Sequence, residues 1–428
     1  MNVPVLSEVV ELLKILRRPR WPAEKMAAYR QRKLQRLVDH AFGQVPYYRD
    51  LMRSAGIGPQ DIREFSDLTK LPVTTKAMLR EAGQDALARG AGKLITRYTS
   101  GHSGNRFAVQ CTPGERQTRR LREFRMLLTA GQLGPRDRLV LLGPTPLRPK
   151  RLHRLLGFYP LEIIPCTLPD SEQSARLLGT RPDVLWAYPT SLKTVLYHTG
   201  KEFSEICRPR TLITSSQVMD QPFRERLLAG SPGLEIVDIY GSSEVGRIGS
   251  VCELRNGLHL EEDALHVELL SDGHPVRPGE FGTVTITALD QLAMPFIRYE
   301  LGDLCRQRLD VCPCGRSSAR IDPPIGRNSD MITLPGGGKT SCLGLDVAIR
   351  DETGIAQCRF VQTSRRHIRA ELFYHPETPS ANRLAEVRDK LSGALNHQIE
   401  FTIELMAGYR TEGQKFKMFV SELGGDSQ

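Results

Sequence analysis

Short apolar runs alternate with amphipathic segments through the middle of the chain. The apolar runs cover residues 138–142, 161–165, 184–189 and 211–214. Segments with the spacing of a helix cover residues 171–178, 191–199 and 221–229. A chain that alternates strands and helices in this order forms a mostly parallel sheet with helices packed on it. The pattern therefore predicts an α/β fold for this part of the chain.

The pattern changes after Glu235. The stretches GLHLEEDALHVELL and EFGTVTITAL alternate polar and apolar residues, which is typical of antiparallel strands joined by hairpin turns. The glycine-rich stretch from Ile325 to Lys339 is typical of a hinge, and strand–helix–strand patterns follow it. We predict a large N-terminal domain over residues 1–325, with mostly parallel sheet and an antiparallel β subdomain. A small, mobile α+β domain is predicted over residues 326–428.

The beginning of the chain predicts an amphipathic helix. Val5, Val9, Leu12, Leu13 and Leu16 fall on one side of this helix. Charged residues within the segment interrupt the apolar run that a secretory signal needs. The apolar side either packs on the body of the protein or makes a peripheral contact with a membrane, because the basic sequence RRPR follows it. No run of about 18 apolar residues occurs, so no transmembrane helix is predicted.

Composition narrows the classes of partner and compartment. The 428 residues carry a net charge of +10, which suits a nucleotide, a phosphorylated cofactor or an acidic membrane surface. Arginine pairs such as Arg17-Arg18 and Arg119-Arg120 lack the interleaved aromatic residues of a nucleic-acid surface. We interpret them as solvated faces and expect no nucleic-acid partner. Nine unevenly spaced cysteines do not form a secreted disulfide framework, so we expect a cytoplasmic protein.

A loop rich in glycine and hydroxyl groups follows the β-prone run at residues 94–98. The loop reads YTSGHSGNR and extends from Tyr98 to Arg106. Because glycine carries no Cβ, backbone N–H groups in such a turn can converge on an anion, and hydroxyl groups can donate further hydrogen bonds to phosphate oxygens. Taken alone, the stretch fits a phosphate-binding loop and an ordinary solvent loop equally well.

A second stretch, TLPGGGKT at residues 333–340, is an alternative phosphate-binding loop. It is similar to the pattern G-x-x-x-x-G-K-[ST], but Thr333 occupies the position of the first glycine. It also lies late in the chain, within the predicted hinge. We therefore favour the loop at residues 98–106.

Two further strand ends carry polar residues. The stretch DIYGSSEVG places Tyr240 and Glu244 at the end of a predicted strand, and the stretch MPFIRYELGD places Arg298 and Asp303 on either side of a tight turn. Ligands of open α/β sheets bind where strands end. A carboxylate in such a place commonly holds ribose hydroxyl groups. The alternative for each stretch is a strand-end turn with a surface ion pair.

Together these stretches resemble the adenylate-forming superfamily of acyl- and aryl-acid ligases. The resemblance is closest to the phenylacetate–CoA ligase family, including its capsule-biosynthesis (CapK-like) branch. VPYYRDLMRSAGI and DLTKLPVTTK resemble the N-terminal signature of that family, and TSGHSG resembles its pyrophosphate loop TSGTTG. YGSSE resembles its Y-G-x-x-E motif, PFIRYELGD its P-x-I-R-Y-x-x-G-D segment, and IGRNSDM its hinge. Each motif is weak alone, whereas their order and spacing over nearly the whole chain are specific.

The resemblance implies which residues bind ATP and Mg²⁺. The residues that would hold the phosphates are Thr99, Ser100, Gly101, His102, Ser103 and Gly104. Tyr240 would lie against adenine, within a motif that continues through Gly241, Ser242 and Ser243. Glu244 would hold Mg²⁺ near the α-phosphate. Asp303 would bind the ribose hydroxyl groups, with help from Arg327.

The resemblance also implies a catalytic lysine in the C-terminal domain and a position for the acid. Lys415, in the stretch RTEGQKFK, would reach the transition state of adenylate formation and offset charge on the five-coordinate phosphorus. The stretch from Trp186 to Ser191 resembles a region beside the acyl pocket, although strand core is an equal alternative.

Several positions depart from the pattern of the family. Asn105 and Arg106 stand where the family has a loop lysine, and Arg106 could supply the missing charge. Lys415 lies one residue later than the usual lysine, Ser329 replaces an aspartate in the hinge, and SSQV occupies residues 215–218. These departures leave a non-catalytic, nucleotide-binding relative open as an alternative.

Cysteine and histidine spacing suggests a metal site. Cys252-x6-His259 is followed by Cys312-Pro-Cys314, which completes a Cys3His set suited to tetrahedral zinc. Read alone, the pattern fits buried cysteines that act as small hydrophobic residues equally well, and Cys305 could compete as a ligand. Many relatives in the family that the chain resembles bind a structural zinc through the pattern C-x6-H then C-x-C-G-R. Four protein ligands would leave no open position, so the site would be structural.

The function implied by the resemblance is an AMP-forming acid–thiol ligase. A small carboxylic acid would react with ATP to give an acyl-adenylate, and coenzyme A would take the acyl group. One alternative passes the acyl group to an amine, a sugar or a carrier protein in polysaccharide or natural-product biosynthesis. The other alternative is the non-catalytic relative. The sequence names neither the acid nor the oligomeric state, for which a dimer is one option.

Overall fold

The computed structural model describes residues 5–99, 107–143, 158–217, 219, 221–327, 331–349, 352, 354–374, 378–408 and 418–423. Within these ranges, helices α1 to α11 cover Val5–Arg17, Ala23–Gln44, Pro46–Ser54, Lys76–Ala82, Pro113–Thr129, Asp170–Leu178, Pro189–Thr199, Phe203–Ile206, Gln221–Gly230, Leu343–Ala348 and Ala381–Ala394. Short 3-10 helices cover Arg18–Arg20, Pro59–Asp61, Phe65–Lys70 and Gly83–Ala86.

Strands β1 to β20 cover Ile95–Tyr98, Ala108–Cys111, Leu139–Leu142, Leu161–Ile164, Val184–Ala187, Thr211–Thr214, Glu235–Ser242, Gly246–Val251, Leu258–Leu260, Leu265–Ser271, His274–Pro275, Phe281–Ala288, Tyr299–Arg308, Arg320–Ile321, Met331–Thr333, Lys339–Ser341, Ile355–Ser364, His367–Tyr374, Glu400–Leu405 and Phe419–Ser421.

One large mixed sheet organises the first part of the chain. Its strand order is β11-β10-β12-β13-β14-β9-β8-β7-β6-β5-β3-β4. The strands from β4 to β7 are parallel neighbours, and pairing becomes antiparallel from β7 to β8 onward. The predicted α/β class is confirmed, and the change from parallel to antiparallel strands follows the change in sequence pattern after Glu235.

Helices cover the parallel strands on both faces. Leu139, Leu141 and Trp186 belong to a core shared with α5, whereas Val140 and Leu185 belong to a second core under α6 to α9. Alternate residues of each strand therefore meet different helices, which is why these strands read as continuous apolar runs. Their carboxyl ends meet at one edge of the sheet.

The C-terminal part of the chain has its own core. Strands β17 to β20 form a four-stranded sheet, with α10 and α11 packed against each other beside it. The core residues of this part run from Ile332 to Phe419, and none of them belongs to the two cores above. The division at residues 325 and 326 is compatible with this separation and stays a prediction.

The stretch at residues 333–340 forms a hairpin turn. It connects β15 with β16, and the backbone N–H of Leu334 donates to the carbonyl oxygen of Gly338 over 2.7 Å. A phosphate-binding loop of the G-x-x-x-x-G-K-[ST] type leads from a strand directly into a helix. The hairpin explains the three consecutive glycines without a ligand.

In each arginine pair that was predicted to be solvated, one arginine contacts other residues of the protein. Arg18 is 8% exposed, and its guanidinium lies 3.7 Å from Oδ2 of Asp263. Arg125 makes two hydrogen bonds to the same carboxylate, at 2.9 and 3.1 Å. Burial alone would raise the pKa of Asp263, but Arg125 and Arg122 hold it well below its usual value. The solvated interpretation was wrong for Arg18, because it contacts Asp263 of a distant segment as well as the nearby Glu11.

The N-terminal helix α1 packs on the protein with only part of its predicted apolar side. Ile15 is fully buried, and its carbonyl oxygen accepts a hydrogen bond from Arg125 Nη1 at 2.9 Å. Val9 and Leu13, on the predicted apolar side, are nearly half exposed. The apolar side of the helix therefore does not pack fully on the protein. Among the described residues, no helix combines the length and apolar character needed to cross a bilayer.

Candidate active site and candidate metal centre

Three of the residues predicted from the sequence meet at one point. Tyr240, near the end of β7, donates from its hydroxyl to Oδ2 of Asp303 over 2.7 Å. Arg327 donates from Nε to Oδ1 of the same carboxylate over 3.2 Å, and the two backbones also pair. Burial raises the pKa of Tyr240 well above its usual value, and Asp303 raises it further. Tyr240 is therefore a neutral donor that orients the carboxylate.

Glu244 occupies the turn between β7 and β8, beside this group. Its Oε1 accepts a hydrogen bond from the hydroxyl of Tyr299 at 3.4 Å. Its carbonyl oxygen accepts from Arg119 and, at 3.1 Å, from Gln291 Nε2. Arg119, which is partly buried, therefore supports this turn, and the prediction of a solvated side chain was wrong for it as well.

The turn also needs a glycine at residue 241. A Cβ there would lie 2.6 Å from the carbonyl oxygen of Gly246, in the facing strand. Real Cβ atoms do not approach backbone this closely, so any side chain at this position would push β7 and β8 apart. Ser242 contributes to the same turn, because its hydroxyl accepts a hydrogen bond from the N–H of Val245 at 3.3 Å.

Lys76 joins the site, although the sequence analysis gave it no role. It begins α4, whose first turn is capped by the hydroxyl of Thr75. Its ammonium group donates to Oγ1 of Thr99 over 3.0 Å. Partial burial lowers the pKa of Lys76, the carboxylate of Glu244 raises it, and the guanidinium of Arg327 lowers it. The ammonium group of Lys76 therefore contacts Thr99 and interacts electrostatically with Glu244 and Arg327.

Among the residues predicted to hold the phosphates, Thr99 is the one that the structure describes. Its Oγ1 also accepts the N–H of Phe107 at 3.2 Å, and its N–H donates to the carbonyl oxygen of Phe107 at 3.0 Å. These bonds hold the two ends of the loop together. The predicted positions Ser100, Gly101, His102, Ser103, Gly104 and Arg106 lie outside the described residues, as do Ser329 and Lys415.

Arg298 does not belong to the site, although it precedes Asp303 in the same motif. Its guanidinium pairs with Glu268 at 3.1 Å and donates to the carbonyl oxygen of Leu71. Its φ angle of 47° lies in the left-handed region, so tertiary contacts fix an unusual backbone conformation. Arg298 thus connects the segment before β13 with the loop that precedes α4, the helix on which Lys76 lies.

A second group of polar and aromatic side chains lines the ends of β5 and β6. Trp186 donates from Nε1 to Oγ of Ser215 over 2.8 Å. The guanidinium of Arg247 lies 5.6 Å from the Trp186 ring and pairs with Glu123 at 3.1 Å. Gln217 accepts from the backbone and the hydroxyl of Thr190. Ser215 and Gln217 belong to the SSQV stretch, which differs from the pattern of the family. They therefore support the region predicted to lie beside the acyl pocket.

The four predicted metal ligands come together at a separate place in the antiparallel half of the sheet. Their ligand atoms all lie within 4.8 Å of one another. Sγ of Cys252 lies 3.7 Å from Sγ of Cys312, and Sγ of Cys314 lies 3.4 Å from Nε2 of His259. Tetrahedral zinc bonds imply about 3.8 Å between two sulfurs and about 3.6 Å between sulfur and nitrogen. The observed spacings match these values.

His259 is prepared to act as a neutral ligand through Nε2. Burial lowers its pKa to about 4, with Arg316 and Arg320 adding to the effect. Its Nδ1 lies 3.1 Å from Oγ of Ser318, and an N–H at Nδ1 leaves the lone pair of Nε2 free for a metal. Cys305, the competing ligand, is fully buried outside the cluster.

Comparisons with known proteins agree with this architecture. A phenylacetate–coenzyme A ligase of Thermus thermophilus is 27% identical over 341 residues, which cover 74% of this chain and 73% of that protein. The Escherichia coli enzyme of the same name is 28% identical over 327 residues, with 73% and 74% covered. No protein-family model matches the chain.

The fold is also that of a solved acyl-CoA ligase. The crystal structure of 2-hydroxyisobutyryl-CoA ligase in the postadenylation state, in complex with 2-HIB-AMP, superposes with a TM-score of 0.80. The match covers 95% of this chain and 92% of that one at 19% sequence identity. The predicted resemblance to phenylacetate–CoA ligases and to the adenylate-forming fold is confirmed.

Proposed function

We propose that this chain acts as the adenylate-forming ligases that it resembles do. It activates a small carboxylic acid with ATP to an acyl-adenylate, and then passes the acyl group to the thiol of coenzyme A. The observation that carries the proposal is the meeting of Tyr240, Asp303, Arg327, Glu244 and Lys76 at the carboxyl edge of the parallel strands. This edge is where open α/β sheets bind nucleotides.

Each residue has a role that its contacts support. Asp303, held by Tyr240 and Arg327, presents carboxylate oxygens that can accept the ribose hydroxyl groups. Glu244 is a carboxylate ligand for Mg²⁺, a metal that proteins usually hold through one or two carboxylates together with substrate phosphates. When bound, Mg²⁺ would neutralise charge on the departing pyrophosphate. Lys76 supplies a cation beside the phosphate loop.

The chemistry proceeds in two steps. An oxygen of the substrate carboxylate attacks the α-phosphorus of ATP, and the bond from that phosphorus to the bridging oxygen of the β-phosphate breaks. Lys76 and the C-terminal Lys415 would offset the charge that builds on the phosphoryl oxygens. In the second step the thiol attacks the carbonyl carbon of the adenylate, loses its proton, and AMP departs.

The proposal predicts ATP–pyrophosphate exchange that depends on one class of acid. Purified, zinc-replete protein would be assayed with a panel of aryl, fatty and hydroxy acids. Exchange with one class establishes adenylation and names the substrate class. Release of AMP that then requires coenzyme A separates a thiol acceptor from an amine, a sugar or a carrier protein. ATP binding without exchange for any acid would point to the non-catalytic relative.

We further propose that Lys415 acts in adenylation alone, because rotation of the C-terminal domain about a hinge near residue 326 would withdraw it for the second step. Lys415→Ala should abolish exchange yet leave thioester formation from supplied acyl-adenylate close to the wild-type rate. Lys417→Ala, the next lysine along the chain, is the matched control and should retain both steps. Equal loss of both steps in Lys415→Ala would contradict the division of labour.

We also propose that Cys252, His259, Cys312 and Cys314 bind one structural zinc ion. The spacing of the ligand atoms and the contact from Ser318 to His259 support this proposal. The ion would cross-link the loops that flank β9 and β14, away from the nucleotide. The same reduced cysteines suit the cytoplasm, which we propose as the compartment.

A further inference from the structure

Helix α1 presents an apolar stripe to solvent. Val9, Val10 and Leu13 are 45%, 44% and 47% exposed. Their spacing places them on one face of the helix, and Arg17 continues the same face by one more turn. Neighbouring large aliphatic residues are normally turned inward in a helix that packs on a protein. The described part of the protein therefore leaves this stripe exposed to solvent.

The helix cannot bury this stripe by rotating on its axis. Its opposite face is fixed by Ile15, which is fully buried and whose carbonyl oxygen accepts from Arg125. Arg18, directly after the helix, is 8% exposed and pairs with Glu11 at 2.9 Å and with Asp263 at 3.7 Å. Turning the stripe inward would break these buried ionic contacts, which is costly. The outward orientation is thus built into the fold.

Basic residues surround the stripe. Lys14 and Arg20 have side chains that are 61% and 72% exposed, although each also lies 3.8 Å from a carboxylate, of Glu11 and Glu253 respectively. Arg17 is exposed as well. On the other side, α1 packs against α5, whose first half carries Arg116 and Arg120. The acidic residues of α1 are Glu8, which attracts Arg120, and Glu11, which pairs with Arg18. The surroundings are therefore predominantly cationic, in a chain with a net charge of +10.

We propose that α1 docks this protein on an anionic lipid surface, lying in the plane of the membrane. A shallow aliphatic stripe with a basic border is the design of interfacial helices, which insert their apolar face at the headgroup boundary and attract acidic lipids with their cations. A protein partner would need a larger patch, usually with aromatic anchors. The stripe offers three aliphatic residues and no aromatic ring. This inference does not depend on the proposed activity.

Vesicle co-sedimentation of the full chain tests the proposal. Wild-type protein should pellet with phosphatidylcholine vesicles that contain phosphatidylglycerol, and not with pure phosphatidylcholine vesicles. Added salt should weaken the binding, because exposed charges are screened. The combined variant Val9→Ser, Val10→Ser, Leu13→Ser should bind roughly tenfold more weakly, since it removes the inserted apolar area. Arg17→Glu should weaken binding to acidic vesicles as well.

A matched control distinguishes binding through this helix from non-specific binding of the protein to vesicles. Leu228 is 42% exposed on α9, which packs on the opposite face of the sheet from α5, the partner of α1, so Leu228→Ser should bind vesicles as the wild type does. Unchanged melting temperatures would show that the variants fold. No pelleting of wild type with acidic vesicles, or equal pelleting of the triple variant, would overturn the proposal. So would light scattering that shows a wild-type dimer and a monomeric triple variant, because the stripe would then join two copies.

Discussion

Replacing Lys76 with methionine is expected to lower the rate of acid-dependent ATP–pyrophosphate exchange by roughly 100-fold or more, which is the usual loss when one stabilising charge or donor is removed from a developing oxyanion. Methionine keeps the length and apolar stem of lysine but loses its charge. The ammonium of Lys76 hydrogen-bonds Thr99 at the start of the phosphate loop and is attracted by Glu244. The loss should appear in kcat, with a smaller rise in KM for ATP.

Two further variants make this prediction specific. Lys76→Arg keeps the cation and should recover a large part of the rate. Lys70→Met removes a lysine of the same segment that pairs with Asp67 on the surface at 2.8 Å, and it should leave exchange within about twofold of wild type. Wild-type exchange in Lys76→Met, or a loss of rate explained by a loss of folded protein, would remove Lys76 from the mechanism.

The pH profile offers an independent reading of the same residue. The pKa of Lys76 is lowered, chiefly by burial, so its cation is lost at a lower pH than an ordinary lysine would require. The protonated form is the one that can offset phosphate charge. Exchange should therefore fall on the alkaline side as pH rises through this pKa, and the fall should move to higher pH in Lys76→Arg, since guanidinium stays charged.

The parallel half of the fold could be predicted because its signal is local. Strands such as Thr211–Thr214 are short apolar runs between helical segments, and they lie where the pattern places them. The antiparallel half could be predicted from two-residue alternation for the same reason. What these patterns do not contain is the order of strands in the sheet, which depends on long-range pairing, such as that of Arg320 with His259.

The residues of the candidate active site could be predicted only in part. Tyr240, Glu244 and Asp303 belong to motifs that keep their spacing within the family that the chain resembles. The sequence analysis missed the role of Lys76 because its partners, Thr99 and Glu244, lie on other segments, and no spacing along the chain connects them. The absence of the family's loop lysine at residues 105 and 106 was the available signal, but Arg106 offered a nearer source of the missing charge.

Buried charges were the least predictable feature. Arg18 and Arg119 look like members of solvated arginine pairs, yet each finds partners deep in the structure. A charged side chain is almost never buried unless it is paired, and the sequence alone does not reveal a partner more than a hundred residues away. The orientation of α1 follows from the same contacts, so the sequence could not decide whether its apolar side packs on the protein or stays exposed.

Removing one ligand of the proposed zinc site is the second change from which we expect a large effect. Cys312→Ser should lower the zinc content from about one ion per chain to nearly none, since thiolates are the preferred ligands. Structural zinc sites bind with roughly 10–16 kcal/mol in small zinc proteins, so we expect a loss of several kcal/mol of stability here. Metal analysis and thermal melting would measure the two effects.

The consequences should concentrate near the metal. Ser318 of the following loop contacts His259, and Ser317 donates to the carbonyl oxygen of Trp21, so loss of the ion would loosen the segment that follows α1 as well. Hydrogen exchange should rise in residues 252–259 and 309–318, and less around Tyr240. Cys166→Ser, outside the cluster, is the matched control and should keep both its zinc and its melting temperature. A zinc-free wild-type protein with the same stability as Cys312→Ser would instead identify these cysteines as a metal-free core, because the spacing of their sulfur atoms would then be a matter of packing alone.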